Sequence, residues 1–156
     1  STIPSLPIPT GARCMTTRFL LDTCAMLYTT EDRMDAQTKA LLIGAFAKGE
    51  SVAVSAITAW EIGLLAARGR LPTATAPLRY FDAFVVLPGV RLEPATPAIL
   101  MDSSFLPSPV HRDPADRIII ATARALDLTI VTSDRLILAY ASKGHVRAHA
   151  CQRIEP

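Results

Sequence analysis

Four carboxylates stand where solvation alone would not place them. Asp22 and Asp134 each fall at or just after the carboxyl end of a short apolar run, RFLLD at 18–22 and TIVT at 129–132. The carboxyl ends of strands are where open α/β sheets assemble their ligand sites, so both belong on one edge. Taken singly, either aspartate also reads as a turn or N-cap residue. Glu61 lies within the stripe Ile57, Trp60, Leu64 and Leu65, four residues after Ile57 and three before Leu64, which aims its carboxylate along a buried helix face. A charge so placed must be paired, protonated or bound to a cation, and a salt bridge to Arg68 is the structural alternative. Asp116 is the third position of a helix opened by Asp113-Pro114. A first-turn carboxylate there faces the same sheet edge, although Asp113 with Asp116 also resembles a capping box.

The sequence shows no lysine or histidine at equivalent positions to neutralise the four. Clustered like charges then demand a cation, and oxygen ligands with few nitrogens or thiolates select Mg²⁺ or Mn²⁺ over zinc. Such ions polarise a phosphoryl oxygen and lower the pKa of a bound water, which makes phosphodiester hydrolysis the natural chemistry. A phosphatase would need a second carboxylate two residues after Asp22, where Cys24 stands. A receiver domain would need adjacent acids and a lysine after a late strand.

The elements that must hold these residues alternate between short β-type runs and amphipathic helical ones, which predicts an α/β fold with parallel strands and crossover helices. Strands are expected at Arg18 to Asp22, Ser51 to Ser55, Thr129 to Thr132, Val90 to Leu92 and Val146 to Cys151, three of them apolar enough for a sheet interior. Helices are expected from Met34 to Lys48, Ala56 to Arg68, Pro77 to about Leu87, from Thr96-Pro97, from Asp113-Pro114 to Leu126, and from Arg135 to Lys143. Gly49, Gly69 and Gly144 close three of them.

At 156 residues, half of them apolar, the chain is sized for one core. A balance of 16 Lys and Arg against 14 Asp and Glu advertises no basic field for nucleic acid, so any such partner must be inferred from the site. Cys14, Cys24 and Cys151 are odd in number and lack metal-ligand spacing, which favours reduced thiols in the cytoplasm. No stretch reaches the length of a membrane span. Residues 1–17, with three prolines and no period, read as a flexible tail ahead of a single domain at 18–156, and residues 1–14 as a leader that need not be native.

Three segments, LLDTC, SAITAWEIGLLAARGRL and HRDPADRIIIATARALDLTIVTSD, resemble PIN-domain toxins of the VapC type in order and spacing, over about Phe19 to Tyr140. The resemblance implies a PIN-like three-layer fold, a mostly parallel central sheet flanked by helices. It further implies a homodimeric, Mg²⁺- or Mn²⁺-dependent endoribonuclease that cuts RNA and is inhibited by a cognate antitoxin bound across its groove. The acidic roles, catalytic and metal-binding, fall on Asp22, Glu61, Asp116 and Asp134. The family's T-x-D element falls on Thr132 and Asp134, with the Thr132 hydroxyl supporting a ligand or a bound water. Asp113 reads as a helix cap, Cys24 stands where many relatives have Asn or His and reads as core packing, and Arg112 and Arg117 read as solvated. A catalytically silent PIN fold that only binds a protein partner, or a PIN nuclease of housekeeping RNA processing, are the alternatives; retention of all four acids argues against the silent one.

Overall fold

The computed structural model describes residues 16–152. Among these residues five strands, β1 (Thr17–Leu21), β2 (Ser51–Ser55), β3 (Val90–Glu93), β4 (Thr129–Thr132) and β5 (Arg147–Ala150), form one sheet in the order β3-β2-β1-β4-β5. Every neighbouring pair is parallel. The three interior strands β2, β1 and β4 are the ones whose sequences are apolar enough to be buried on both faces. Among the described residues seven helices flank the sheet: α1 (Thr23–Thr30), α2 (Ala36–Ala47), α3 (Ile57–Ala67), α4 (Pro77–Val85), α5 (Pro97–Asp102), α6 (Pro114–Leu126) and α7 (Arg135–Ser142).

Side-chain alternation along the strands builds two cores, one on each face of the sheet. Phe19, Leu21, Val52, Val54 and Val131 meet Met26, Leu42, Ile62, Phe81 and Phe84 of α1 to α4. Leu20, Ala53 and Ile130 meet Ile99, Ile119, Ile120, Ile137 and Tyr140 of α5 to α7. The result is the three-layer α/β architecture expected from the sequence. From β1 the chain winds outward through β2 to β3, then returns to the other side of β1 for β4 and β5. The order therefore reverses at the β1/β4 boundary, and the carboxyl ends of those two strands open the crevice in which such sheets hold ligands.

Several expected boundaries move. Thr17 belongs to β1 rather than to a tail, its hydroxyl 2.5 Å from that of Ser51. Asp22 is not the last residue of that strand but the N-cap of α1, a helix the sequence pattern did not disclose. Gly69 and Gly144 do end helices, at φ 66° and 84°, a region closed to most side chains. The expected flexibility of residues 1–15 and the environment of Cys14 lie outside the described residues. No helix among those described is long and apolar enough to cross a membrane.

Candidate metal centre at the carboxyl edge of the sheet

Asp22 is buried, 3% exposed, in the turn from β1 into α1. Its Oδ1 accepts the Ala25 N–H at 2.8 Å, and its Oδ2 accepts from the Thr132 hydroxyl. Thr132, fully buried as the last residue of β4, accepts the Asp134 N–H at 2.9 Å on the same oxygen. One hydroxyl thus ties together the turns after β1 and β4. Asp134 N-caps α7, its Oδ1 accepting from Leu136 N and Ile137 N at 2.8 and 2.9 Å. Capping by a side chain with helix N–H groups fixes a carboxylate rotamer and leaves its second oxygen free for another partner.

Glu61 reaches the same edge from α3. Its Oε1 accepts the Thr23 hydroxyl at 2.5 Å. Among the described residues no lysine or arginine forms an ion pair with Glu61, so the alternative of an Arg68 salt bridge is not realised, and Arg68 is exposed. The inner face of α3 also differs from expectation. Thr58 and Ile62 are buried while Trp60 is 51% exposed, so the buried face of α3 runs through Thr58 and Ile62 and not through Trp60. Asp116 sits in the first turn of α6, with its N–H on Asp113 Oδ1 at 3.0 Å, so Asp113 is the cap it was expected to be.

The four acids converge. Ligand oxygens of Glu61, Asp113 and Asp116 lie within 4.8 Å of one another, and oxygens of Asp116 and Asp134 do so with a nitrogen of His111. Asp22 joins them electrostatically. Burial, then the nearby Glu61 and Asp134, push its carboxyl up to about 6 against the opposing hydrogen bonds from Thr132 and Ala25. Burial followed by Asp113, Asp134, Glu61 and Asp22 raises Asp116 to about 8. Glu61 is raised by burial and by Asp113 and Asp134, against the hydrogen bond from Thr23. Carboxylates that resist ionising together are a set whose mutual repulsion a cation could relieve.

His111 overturns the expectation that no histidine enters the cluster. Its Nε2 lies 2.9 Å from Asp116 Oδ2 and 3.6 Å from Asp134 Oδ1. The residue was visible at the head of HRDPADR, but it precedes the helix, and loop residues carry no periodicity that tells which way they turn. Thr23 was missed for a related reason: a threonine after a strand gives no sign that its hydroxyl will serve a glutamate from another helix. Cys24 is a further correction. It is exposed at the lip of the acidic cluster rather than packed in the core, and its partly covered thiol is pushed to about 12 by desolvation and by Asp22, Glu61, Asp116 and Asp134. Arg112 is exposed as expected, whereas Arg117 is half-buried, with its Nε lacking a hydrogen-bond partner among the described residues.

A parallel 3-2-1-4-5 sheet with clustered carboxylates at its switch point defines an α/β domain with an acidic ligand edge, and the PIN domain family pattern matches residues 19–143. The chain belongs to the PIN-domain family. Ribonuclease VapC22 of Mycobacterium tuberculosis (strain ATCC 25618 / H37Rv) is 33% identical over 91 residues, which span 58% of this chain and 68% of that protein. The fold matches a chain of the crystal structure of VapBC2 from Rickettsia felis bound to a DNA fragment from their promoter, with TM-score 0.61, 15% identity and coverage of 84% of this chain and 96% of that one. It also matches a chain of FitAcB from Neisseria gonorrhoeae, with TM-score 0.57, 22% identity and coverage of 85% and 96%.

Proposed function

We propose that this chain is a divalent-cation-dependent endoribonuclease and the toxin of a toxin–antitoxin pair. The observation that carries this is the convergence of Asp22, Glu61, Asp116 and Asp134 on one sheet edge, with raised pKa values for Asp22, Glu61 and Asp116 and no lysine or arginine ion-paired to any of the four among the described residues. Membership of the PIN-domain family and similarity to a protein named as a ribonuclease support it.

The donor set fits a hard cation. Carboxylate oxygens predominate, which favours Mg²⁺ or Mn²⁺ over softer ions. Asp22, Glu61, Asp116 and Asp134 would hold the ion, which supplies Lewis-acid activation of a phosphodiester and of the attacking water. The chain's own contribution is preorganisation. Main-chain N–H groups of α1 and α7 fix Asp22 and Asp134, Thr132 links those two, and Thr23 holds Glu61. Positions set before the ion arrives need no reorganisation when it binds.

An antitoxin partner and a homodimer follow from the same family reading. Large apolar side chains left on the surface, Phe105 at 85% exposure, Val86 at 76% and Met101 at 67%, are consistent with association. A cytoplasmic site of action is part of the same family reading, and Cys24 and Cys151, which form no disulfide with each other, fit it. The test is cleavage of RNA by purified protein: activity is expected with Mg²⁺ or Mn²⁺ and silence in excess chelator, and chelator-resistant cleavage would contradict the mechanism.

A further inference from the structure

His111 enters the acidic site from the segment before α6, and its two ring nitrogens face different partners. Nδ1 accepts the Asp113 main-chain N–H at 3.0 Å. A main-chain amide can only donate, so the neutral ring carries its proton on Nε2. Nε2 is the nitrogen turned toward the carboxylates, 2.9 Å from Asp116 Oδ2 and 3.6 Å from Asp134 Oδ1, on a side chain only 10% exposed. Neither oxygen lies in line with the N–H, which leaves a buried donor without an aligned acceptor among the described residues. Hydrogen bonds at such sites tighten when the site is loaded.

Two roles are open to a histidine so placed. As a cation ligand it would present an Nε2 lone pair and move its proton to Nδ1, where that proton would meet the Asp113 N–H head-on at 3.0 Å. As a donor it keeps the tautomer the main chain already dictates. On the metal-site reading given above, we infer that His111 is a positioning residue rather than a ligand: its Nε2–H holds Asp116, and secondarily Asp134, in the orientation that receives the cation. A ligating carboxylate is ordinarily held in this way by a hydrogen-bond donor behind it.

The test follows Mn²⁺ bound to the full-length protein by pulsed electron paramagnetic resonance, which detects nitrogen nuclei coupled to the ion, together with Mn²⁺ affinity by titration. The parent should bind Mn²⁺ without the nitrogen modulation of a bound imidazole. His111→Gln, whose amide N–H reaches about where Nε2 stands, should keep the affinity within about threefold, while His111→Ala should lose about 10- to 100-fold. Nitrogen modulation in the parent that disappears in His111→Ala would overturn the assignment, and so would equal losses in the two variants or no loss in either. The parent spectrum alone decides whether His111 is a ligand, and that result stands even if His111→Ala folds poorly. Failure of the parent to bind Mn²⁺ at all is a separate outcome that overturns the metal site itself, and the role of His111 with it.

Discussion

At the scale of single residues, Glu61 discriminates a ligand from a structural ion pair. It has a hydroxyl donor in Thr23 but no paired cation among the described residues, and its neighbours Asp113 and Asp134 repel it. Glu61→Gln keeps an oxygen for Thr23 and removes the repulsion. The metal-free variant is therefore expected to melt at or above the parent temperature. Had a buried arginine been stranded, the cost would be about 3–5 kcal/mol. Mn²⁺ at a hundredfold excess over Kd should stabilise the parent by about 2.7 kcal/mol and Glu61→Gln by clearly less, read from thermal melts with and without the ion. Asp22 and Asp116 give a second prediction. Their folded values, about 6 and about 8, lie above the unfolded 3.8, so the folded state binds protons more tightly and its stability falls as pH rises from about 4 to about 8. Saturating Mn²⁺ requires the ionised forms and should flatten or reverse that slope. Melting temperatures across this range in chelator and in Mn²⁺ check both signs, and a metal-free protein that gains stability through the window would contradict the clustering.

At the scale of elements, the site is made of helix beginnings. Asp22, Asp113 and Asp134 each cap a helix, α1, α6 and α7 respectively, at the carboxyl edge of the sheet. Asp113 is the exposed one, and its cap on Asp116 N can be tested apart from the metal. Asp113→Ala should cost about 1 kcal/mol in denaturant unfolding, and Asp113→Asn, which still caps, only a small fraction of that; equal losses would mean that the charge and not the cap matters there. Capping also explains what the sequence disclosed. Short β-type runs alternating with helical ones marked all five strands, and Thr96-Pro97 and Asp113-Pro114 marked α5 and α6, because strong local signals agree there with the final structure. Helix α1 was hidden because TCAMLYTT has three threonines and no clear apolar stripe, and because Asp22 was read as the end of a strand instead of the start of a helix. Trp60 was misplaced because helical spacing gives a face but not the neighbour that covers it. Asp22, Asp116 and Asp134 were legible since each sits at or near an element boundary, and Glu61 since it interrupts an apolar helix stripe. His111 and Thr23 were not, since their roles depend on where separate segments meet.

At the scale of the whole molecule, a nearly neutral chain with net charge +2 gathers carboxylates at one edge, which by themselves repel a phosphate backbone. On the proposed function, a bound cation offsets that repulsion. Exposed apolar side chains such as Phe105 and Val86 lead us to expect a dimer in light scattering, and a monomer at every concentration would count against it. The proposed activity requires that the acidic edge work through a cation on RNA. The direct measurement is the rate of RNA cleavage by the purified parent and by Asp116→Asn, each in Mn²⁺ and in excess chelator, with circular dichroism confirming that both are folded. Cleavage by the parent in Mn²⁺, abolished by chelator and reduced at least about a hundredfold in Asp116→Asn, is the predicted result. Cleavage that survives the chelator, or that proceeds at the parent rate in folded Asp116→Asn, would contradict it.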